Sequence, residues 1–328
     1  MNGRSAFRSI SRRGAYDFAA AKKAQADRLT DRPQDRQTFR ISFVPILRSL
    51  GTTLEMIKWE HSVLTLPFGL TGAVLAARGI PAPRQLLWIA VGLVAARAAA
   101  MSFNRLADHS FDAVNPRTRT RALPTRTLTR HFVAAFVVVS SLLLVLAAAE
   151  LNRLALYLSP VALGVILLYS YTKRFTRWSH VVLGFAMGLA PAAGWVAVRG
   201  SLDPRILILT AVVTFWGGGF DVLYACQDYD FDCQSGLHSV PRSFGIARSL
   251  WIARAFHVVT LSLLGVLVYV FSLGGIAIAG VLVVGVLLAY EHSLVSANDL
   301  SRLNAAFFTM NGVISMVFLG FVTANFLV

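Results

Sequence analysis

Residues 131–149 read HFVAAFVVVSSLLLVLAAA, without an Asp, Glu, Lys or Arg. An α-helix rises ~1.5 Å per residue, so a stretch of this length spans most of the ~30 Å apolar layer of a lipid bilayer. Residues 154–172 and 180–198 are equally free of charged side chains, and short polar segments separate the three stretches. Consecutive stretches of this kind are typical of a helical protein that crosses a membrane repeatedly.

The composition of the whole chain agrees with that interpretation. The 328 residues are 56% hydrophobic and 14% charged, with a mean hydropathy of +0.62. Soluble domains carry about 25% charged residues, so a water-soluble globule is disfavoured, as are collagen-like and disordered chains. The two cysteines, Cys226 and Cys233, form neither a disulfide framework nor the close pairs of a zinc motif.

Six further spans complete an all-α, polytopic protein. They are residues 61–77, 85–106, 205–225, the two halves of 255–290 on either side of Gly274-Gly275, and 303–328. The sequence therefore predicts nine transmembrane helices in one domain, residues 51–328.

The net charge of +15 indicates how this domain is oriented. If the N-terminus is cytoplasmic, loops 107–130, 173–179, 226–254 and 291–302 share its side and carry twelve Lys and Arg residues, against five in the opposite loops. Cytoplasmic loops are enriched in basic residues, so this asymmetry predicts a cytoplasmic N-terminus. The basic excess is then a topology signal, and we expect no nucleic-acid partner.

Residues 1–50 differ from the rest of the chain, with eleven basic residues and four Asp. One interpretation is a disordered cytoplasmic tail attracted to anionic lipid head groups. The alternative is a mitochondrial transit peptide, because residues 1–16 are rich in Arg and Ser and lack acids. Asp17 and the later acids favour the tail over the transit peptide.

Acidic residues are rare outside the tail, and six of the twelve lie in the segments 104–112 and 221–232. Each segment contains an Asp pair at i, i+4, namely Asp108 with Asp112 and Asp228 with Asp232, so each pair shares a helix face. Helix capping would explain one such pair. Two repelling pairs at the ends of spans favour a Mg²⁺ site, because Mg²⁺ binds carboxylates together with substrate phosphates.

Basic and polar residues nearby complete a candidate diphosphate site. Arg97 lies within a span, where a charge is costly and is usually functional, and it shares a helix face with Asn104 and Asp108. Tyr169 and Lys173 are one helical turn apart at the end of another span. Residues such as Arg117 and Arg174 could equally be topology anchors, and that alternative stays open.

These segments resemble the UbiA superfamily of intramembrane prenyltransferases over about residues 50–328. The matching motifs are Asn104-x-x-x-Asp108-x-x-x-Asp112, Tyr169-x-x-x-Lys173, Asp221-x-x-Tyr224-Ala-x-Gln227, Asp228-x-x-x-Asp232 and Leu66-Pro67-Phe68. Lys58, three residues before His61, stands where the family has Arg, which removes the planar fork that binds a carboxylate in two places. Asn115-Pro-Arg-Thr and Arg121-Ala-Leu-Pro are similar to bacterial 4-hydroxybenzoate polyprenyltransferases and their menaquinone-pathway relatives. The Asn115-Pro-Arg-Thr segment therefore favours the inner membrane of a bacterium over that of a mitochondrion.

The resemblance implies nine helices around a central cavity that opens to lipid, and Mg²⁺-dependent transfer of a polyprenyl group from its diphosphate to an aromatic acceptor such as 4-hydroxybenzoate. It implies catalytic roles for Asp108, Asp112, Asp228, Asp232 and Lys173, and metal binding by the four Asp with Asn104. Substrate-binding roles are expected for Lys58, Arg97, Asn104, Arg117, Tyr169, Arg174 and Asp221.

Three alternatives remain. The first is a prenyltransferase of the same superfamily that acts on a menaquinone-pathway, haem or tail-lipid acceptor. The second is an ion-coupled transporter, whose acids would instead lie near the bilayer midplane at broken helices. The third is a non-catalytic scaffold, which leaves both Asp pairs unexplained. The sequence does not determine the isoprenoid length or the oligomeric state.

Overall fold

The computed structural model describes residues 51–58, 62–303 and 305–328. In these ranges the regular structure is helical, apart from one isolated bridge between Ser296 and Asp299. The predicted tail, residues 1–50, lies outside the described residues, as do Trp59, Glu60 and His61.

Residues 51–57 form a first helical segment, and twelve α-helices follow it. Their bounds are α1 Ser62–Ala77, α2 Pro83–Ala107, α3 His109–Asp112, α4 Arg130–Leu151, α5 Arg153–Thr172, α6 Ser179–Arg199, α7 Ile206–Ala225, α8 Tyr229–Ser235, α9 Val240–Phe244, α10 Ile246–Val270, α11 Gly275–Ser293 and α12 Asn311–Ala324. A 3₁₀ turn, Cys226–Asp228, joins α7 to α8, and a π-helical turn, Ala305–Met310, precedes α12.

Seven of the described helices are long and apolar enough to cross a membrane. They are α2, α4, α5, α6, α7 with its continuation to Ser235, α10 and α11, and two shorter apolar helices cover Leu64–Ala77 and Phe308–Ala324. Large apolar side chains on these helices point outward, including Leu142 on α4, Val161 on α5 and Leu282 on α11, each more than 60% exposed. Because such exposure is unfavourable in water and favourable in lipid, the chain is a multi-pass membrane protein.

The division of residues 255–290 into two helices is confirmed, since α10 ends at Val270 and α11 begins at Gly275. The assignment of 226–254 as a loop is wrong for most of its length. Helices α8 and α9 lie within it, and α10 begins at Ile246 rather than 255. The hydropathy pattern missed these turns because they carry charged residues such as Arg248 and Arg254.

Close helix packing holds the second half of the bundle together. A Cβ added at Gly184 or Gly188 on α6 would overlap the backbone of Thr214 or Thr210 on α7, so both positions require glycine. In lipid there is little hydrophobic drive between helices, and small residues that admit close backbone approach stabilise the contact. Beside it, Trp216 packs against Phe68 and Phe220 with ring centroids 4.8 Å apart in both pairs.

Candidate active site

A cavity of about 1570 Å³ lies between α2, α5, α6 and α7. Its walls are mainly apolar, with Leu93, Ile166 and Leu189 among the lining residues. All predicted site residues except Arg174 line it, which are Lys58, Arg97, Asn104, Asp108, Asp112, Arg117, Tyr169, Lys173, Asp221, Asp228 and Asp232. Residues spread over 175 positions of sequence, from 58 to 232, therefore surround one space.

Asp108 lies where α2 passes into α3, and its side chain is only 4% exposed. Its Oδ2 accepts from Lys173 Nζ at 2.5 Å and from Asn104 Nδ2 at 3.1 Å. Its Oδ1 makes no hydrogen bond among the described residues, and Arg174 Nη2 lies 3.7 Å from it. The carboxylate is thus hydrogen-bonded through Oδ2, and its buried Oδ1 has only the more distant Arg174 guanidinium beside it among the described residues.

Asp112 lies one turn further on, at the end of α3, and is paired differently. Nη1 of Arg121 donates to both carboxylate oxygens, at 2.8 and 2.9 Å. The Thr118 hydroxyl donates to the Asp112 carbonyl at 3.2 Å. The loop after α3 therefore folds back on the first Asp pair.

Asp228 lies in the 3₁₀ turn after α7 and binds residues from the first half of the chain. Arg117 donates to it through Nε at 2.9 Å and through Nη2 at 2.5 Å, and Asn115 Nδ2 donates at 3.1 Å. Arg117 Nη1 also donates to the Tyr224 hydroxyl at 3.1 Å. Burial alone would lower the pKa of Arg117, but its hydrogen bond with Asp228 and the charge of that carboxylate raise it.

Asp232, one turn beyond Asp228 on α8, is buried and hydrogen-bonds the Ser239 side chain. Asp221 lies on α7, and its Oδ2 is 2.7 Å from Nδ1 of His180 on α6. The two Asp segments thus face one cavity, and Arg117 connects the first to the second.

The remaining predicted residues lie where their spacing indicates. Arg97 and Asn104 both line the cavity from α2, and Tyr169 lines it one turn before Lys173. Lys58 follows the helical segment 51–57 with a φ of 51°, and it is exposed at the cavity. Arg174 instead donates to the Ala107 carbonyl at 2.5 Å, because it follows Lys173 directly in the turn after α5 and its side chain points in a different direction.

The chemistry of this site fits Mg²⁺. Its ligands would be hard carboxylate and amide oxygens, and Oδ1 of Asp108, a buried oxygen without a hydrogen bond among the described residues, would be one of them. In the described part of the chain, no three His, Cys, Asp or Glu side chains converge as a metal-binding group. Ligation would therefore rely on few protein oxygens together with phosphate and water, which is the usual coordination of Mg²⁺.

Sequence reasoning missed several residues that the structure places at this site. Arg121 and Asn115 hold Asp112 and Asp228, Arg105 is buried beneath them, and His180 supports Asp221. For Arg121 and Asn115 the sequence did contain an indication, because Asn115-Pro-Arg-Thr-Arg-Thr-Arg121 follows the first Asp pair directly. The turn in which Asn115 O accepts from Arg119 N aims Arg117 and Arg121 at different carboxylates, which spacing alone does not show.

Comparisons with known proteins agree with this geometry. A family model described as the UbiA prenyltransferase family matches residues 65–313. A 4-hydroxybenzoate octaprenyltransferase of Yersinia pseudotuberculosis (strain PB1/+) is 31% identical over 246 residues, covering 75% of this chain and 85% of the relative.

Solved structures share the fold. The apo structure of a UbiA homologue from Aeropyrum pernix K1 matches with a TM-score of 0.74 at 29% identity, covering 81% of this chain and 98% of that one. A UbiA homologue from Archaeoglobus fulgidus bound to DMAPP and Mg²⁺ matches with a TM-score of 0.64 at 20% identity, covering 84% and 99%. The predicted resemblance is confirmed: the chain belongs to the UbiA prenyltransferase family and is an enzyme that transfers prenyl groups.

Proposed function

We propose that this enzyme transfers a polyprenyl group from an allylic polyprenyl diphosphate to 4-hydroxybenzoate in a Mg²⁺-dependent reaction. The product would be 3-polyprenyl-4-hydroxybenzoate, a precursor of ubiquinone. The observation that carries the proposal is that four carboxylates, Lys173 and Arg117 surround one end of a large apolar cavity. The name of the Yersinia relative supports the choice of acceptor.

The diphosphate would bind between the two Asp segments. Asp108, Asp112, Asp228 and Asp232, with Asn104, would hold Mg²⁺, which when bound supplies positive charge against the diphosphate oxygens. Lys173 and Arg117 would neutralise the charge that develops as the allylic C–O bond breaks. Arg174 would contribute from behind Asp108, 3.7 Å from its Oδ1. Lys173 and Arg117 are already held in place by Asp108 and Asp228, so little reorganisation is needed when the diphosphate binds.

The apolar walls serve the next step. Ionisation leaves an allylic carbocation, and walls such as Leu93 and Ile166 keep water from capturing it. The ring carbon ortho to the hydroxyl of the acceptor supplies the electron pair of the new C–C bond. The hydrogen on that carbon leaves as a proton on the released diphosphate. Arg97 or Lys58 would bind the benzoate carboxylate, and Tyr169 and Asp221 would contact substrate in the same cavity.

The finer topology also belongs to this proposal. The two shorter apolar helices added to the seven long ones would make nine spans, with the N-terminus in the cytoplasm and the site on the cytoplasmic face. The support is the concentration of basic loops on the side where α2, α5 and α7 end. A bacterial inner membrane is the proposed location.

An acceptor panel tests the reaction. Membranes containing the wild type receive an allylic diphosphate, Mg²⁺ and one of several aromatic acceptors, and products are identified by mass. We expect a prenylated 4-hydroxybenzoate from the wild type and none from Asp108→Ala or Asp228→Ala. Asp203→Ala is the matched control, because among the described residues Asp203 forms its ion pair with its neighbour Arg205, in the loop between α6 and α7.

The possible outcomes test the acceptor, the Mg²⁺–diphosphate site and the class of protein separately. Turnover of a menaquinone-pathway acceptor without turnover of 4-hydroxybenzoate would change the substrate and keep the chemistry. Full activity in both Asp variants would refute the Mg²⁺–diphosphate site. Uptake of a labelled solute into proteoliposomes, lost in the Asp variants, would instead indicate a transporter.

A further inference from the structure

His180 is a buried histidine that touches the site without lining the main cavity. It is 5% exposed, and its two ring nitrogens have different partners. Nδ1 lies 2.7 Å from Asp221 Oδ2, and Nε2 lies 3.3 Å from the backbone nitrogen of Val240. A backbone N–H can only donate, so Nε2 accepts and Nδ1 carries the ring proton. His180 is therefore a neutral donor to Asp221, with one tautomer selected by the fold.

Asp221 differs in this respect from three of the four carboxylates of the two Asp pairs. Asp108, Asp112 and Asp228 each bind a Lys or Arg, whereas the partner of Asp221 is an uncharged imidazole. A carboxylate whose negative charge is not neutralised by a cation remains a strong hydrogen-bond acceptor for a ligand. Asp221 has this property, and its side chain lines the cavity with 19% of its surface exposed.

The depth of Asp221 suits a substrate other than the diphosphate. It precedes Asp228 by seven residues, about 10 Å along the axis of α7 at the rise of a helix. The acceptor ring must reach the first carbon of the prenyl chain, which lies between the diphosphate and the apolar interior. With the diphosphate bound as proposed, Asp221 would lie on its interior side, toward the reacting carbon, and the two Asp pairs would lie at the diphosphate.

A short segment of residues 237–240, the strap, fixes the geometry of His180. The Val240 N–H binds His180, the Ser239 side chain binds Asp232, and His238 N donates to the Lys173 carbonyl at 2.7 Å. The strap also borders a polar side pocket of about 100 Å³, which Asp221 and Tyr169 line together with Asp228, Asp232, Lys173 and Asn104. Asp221 and Tyr169 line the main cavity as well, so a polar substituent on the ring would find room beside them.

We propose that His180 is a positioning residue that aims the Asp221 carboxylate at the hydroxyl group of the aromatic acceptor; this rests on the proposed function. The hydroxyl donates a hydrogen bond to Asp221, which increases the electron density at the ortho carbon that attacks. His180 does not touch the substrate. It acts by holding Asp221 in place with its charge available.

Two amide substitutions separate the two contacts of the ring. In His180→Asn the side-chain amide reaches the position of Nδ1, so donation to Asp221 is kept and the Val240 contact is lost. In His180→Gln the amide reaches the position of Nε2, so the Val240 contact is kept and donation to Asp221 is lost. We expect His180→Gln to lower kcat/KM for the aromatic acceptor about thirtyfold, in the range for a lost hydrogen bond to a charged group. The KM for the allylic diphosphate should stay within about twofold of wild type, and His180→Asn should keep most of the activity.

Thermal melting of both variants in detergent checks that they fold alike. Equal kinetics in wild type and His180→Gln, or a change confined to the KM of the diphosphate, would overturn the positioning role. Loss of activity in His180→Asn with normal activity in His180→Gln would assign the function to the Val240 contact and also overturn it.

A measurement that needs no turnover tests the geometry itself. In protein labelled with ¹⁵N-histidine, the His180 resonances are identified by their loss in His180→Asn. We expect the ring to be neutral and protonated on Nδ1, and a charged ring or an Nε2-protonated one would contradict the structure. If the wild type prenylates no phenolic acceptor, the proposed function fails and the acceptor role of Asp221 fails with it. The resonances would still decide whether His180 holds Asp221.

Discussion

The first Asp segment, 104–112, and the second, 221–232, share the Asp-x-x-x-Asp spacing but are stabilised in different ways. Asp108 is 4% exposed and held by Lys173 and Asn104, and Asp112 is held by Arg121 from the adjoining loop. In the second segment, Asp228 is 19% exposed and takes its Arg117 from the first half of the chain, while Asp232 has the neutral Ser239. In the first segment each carboxylate of the Asp pair therefore has its own cation. In the second segment only Asp228 has one, and that cation, Arg117, comes from the loop that follows the first segment.

This difference has an energetic consequence. Removing the partner of a buried carboxylate leaves a charge that water cannot reach, whereas a carboxylate that keeps another donor and some exposure loses less. Substituting the residue that holds each carboxylate should therefore reduce activity to a graded extent. The largest loss is expected for the partner of Asp108 and the smallest for the partner of Asp232.

Lys173→Ala should have the largest effect, a loss of roughly a thousandfold in kcat, in the range seen when a group that stabilises transition-state charge is removed. It deletes the cation beside the departing diphosphate and leaves Asp108 with Asn104 as its close donor. Steady-state kinetics with the allylic diphosphate measure the loss. Arg177→Ala is the control, because Arg177 is exposed and stacks on Phe244 away from the cavity. A Lys173→Ala enzyme within tenfold of wild type would contradict the assigned role.

Arg117→Ala should cost less, about a hundredfold in kcat, because Asp228 keeps the Asn115 hydrogen bond and is more exposed than Asp108. Arg117→Lys should recover part of the activity, since it restores the charge but not the two-point contact. The control is the exposed Arg119, two residues away on the same loop, whose change to Ala should be silent. If Arg117→Ala were more damaging than Lys173→Ala, the ranking of the two segments would be reversed.

Arg121→Ala should mainly lower stability, by about 1–3 kcal/mol, because Asp112 is buried and loses a donor that binds both its oxygens. Thermal melting in detergent should show the decrease, with activity reduced about tenfold at low Mg²⁺ and partly restored at high Mg²⁺. Unchanged melting would mean that water or another cation satisfies Asp112.

Ser239→Ala should have the smallest effect, two- to fivefold in activity and about 1 kcal/mol in stability, since it removes the N-cap of α9 and a neutral donor to Asp232. Ser243→Ala, at an exposed position on the same helix, is the control and should match wild type. An effect as large as that of Arg117→Ala would show that the second segment depends on the strap more than on its cation.

Much of the site was predictable from particular residues. The i, i+4 spacing placed each Asp pair on one helical turn. A charge inside an apolar helix is costly, and this singled out Arg97, which lines the cavity. The membrane spans were predictable from the length of their apolar stretches. The division between α10 and α11 was predictable from Gly274-Gly275. The helices in residues 226–254 were not, since short helices with several polar residues leave no hydropathy signal.

The pairing of the carboxylates could not be predicted. Arg117 and Asp228 are 111 residues apart, and His180 and Asp221 are 41 residues apart, so no local rule connects them.

The sequence by itself determined that the chain is a helical membrane protein with two acidic clusters at the ends of apolar helices, because hydrophobic length and i, i+4 spacing are local properties of the chain. Only the tertiary structure decided which cation each carboxylate binds and which one faces a neutral histidine. Those choices depend on how the ends of α2, α5 and α7 converge on one cavity and how the loop carrying Arg117 crosses to the second segment. Charge pairing is set by distances of a few ångströms between side chains, and these exist only after the helices have packed.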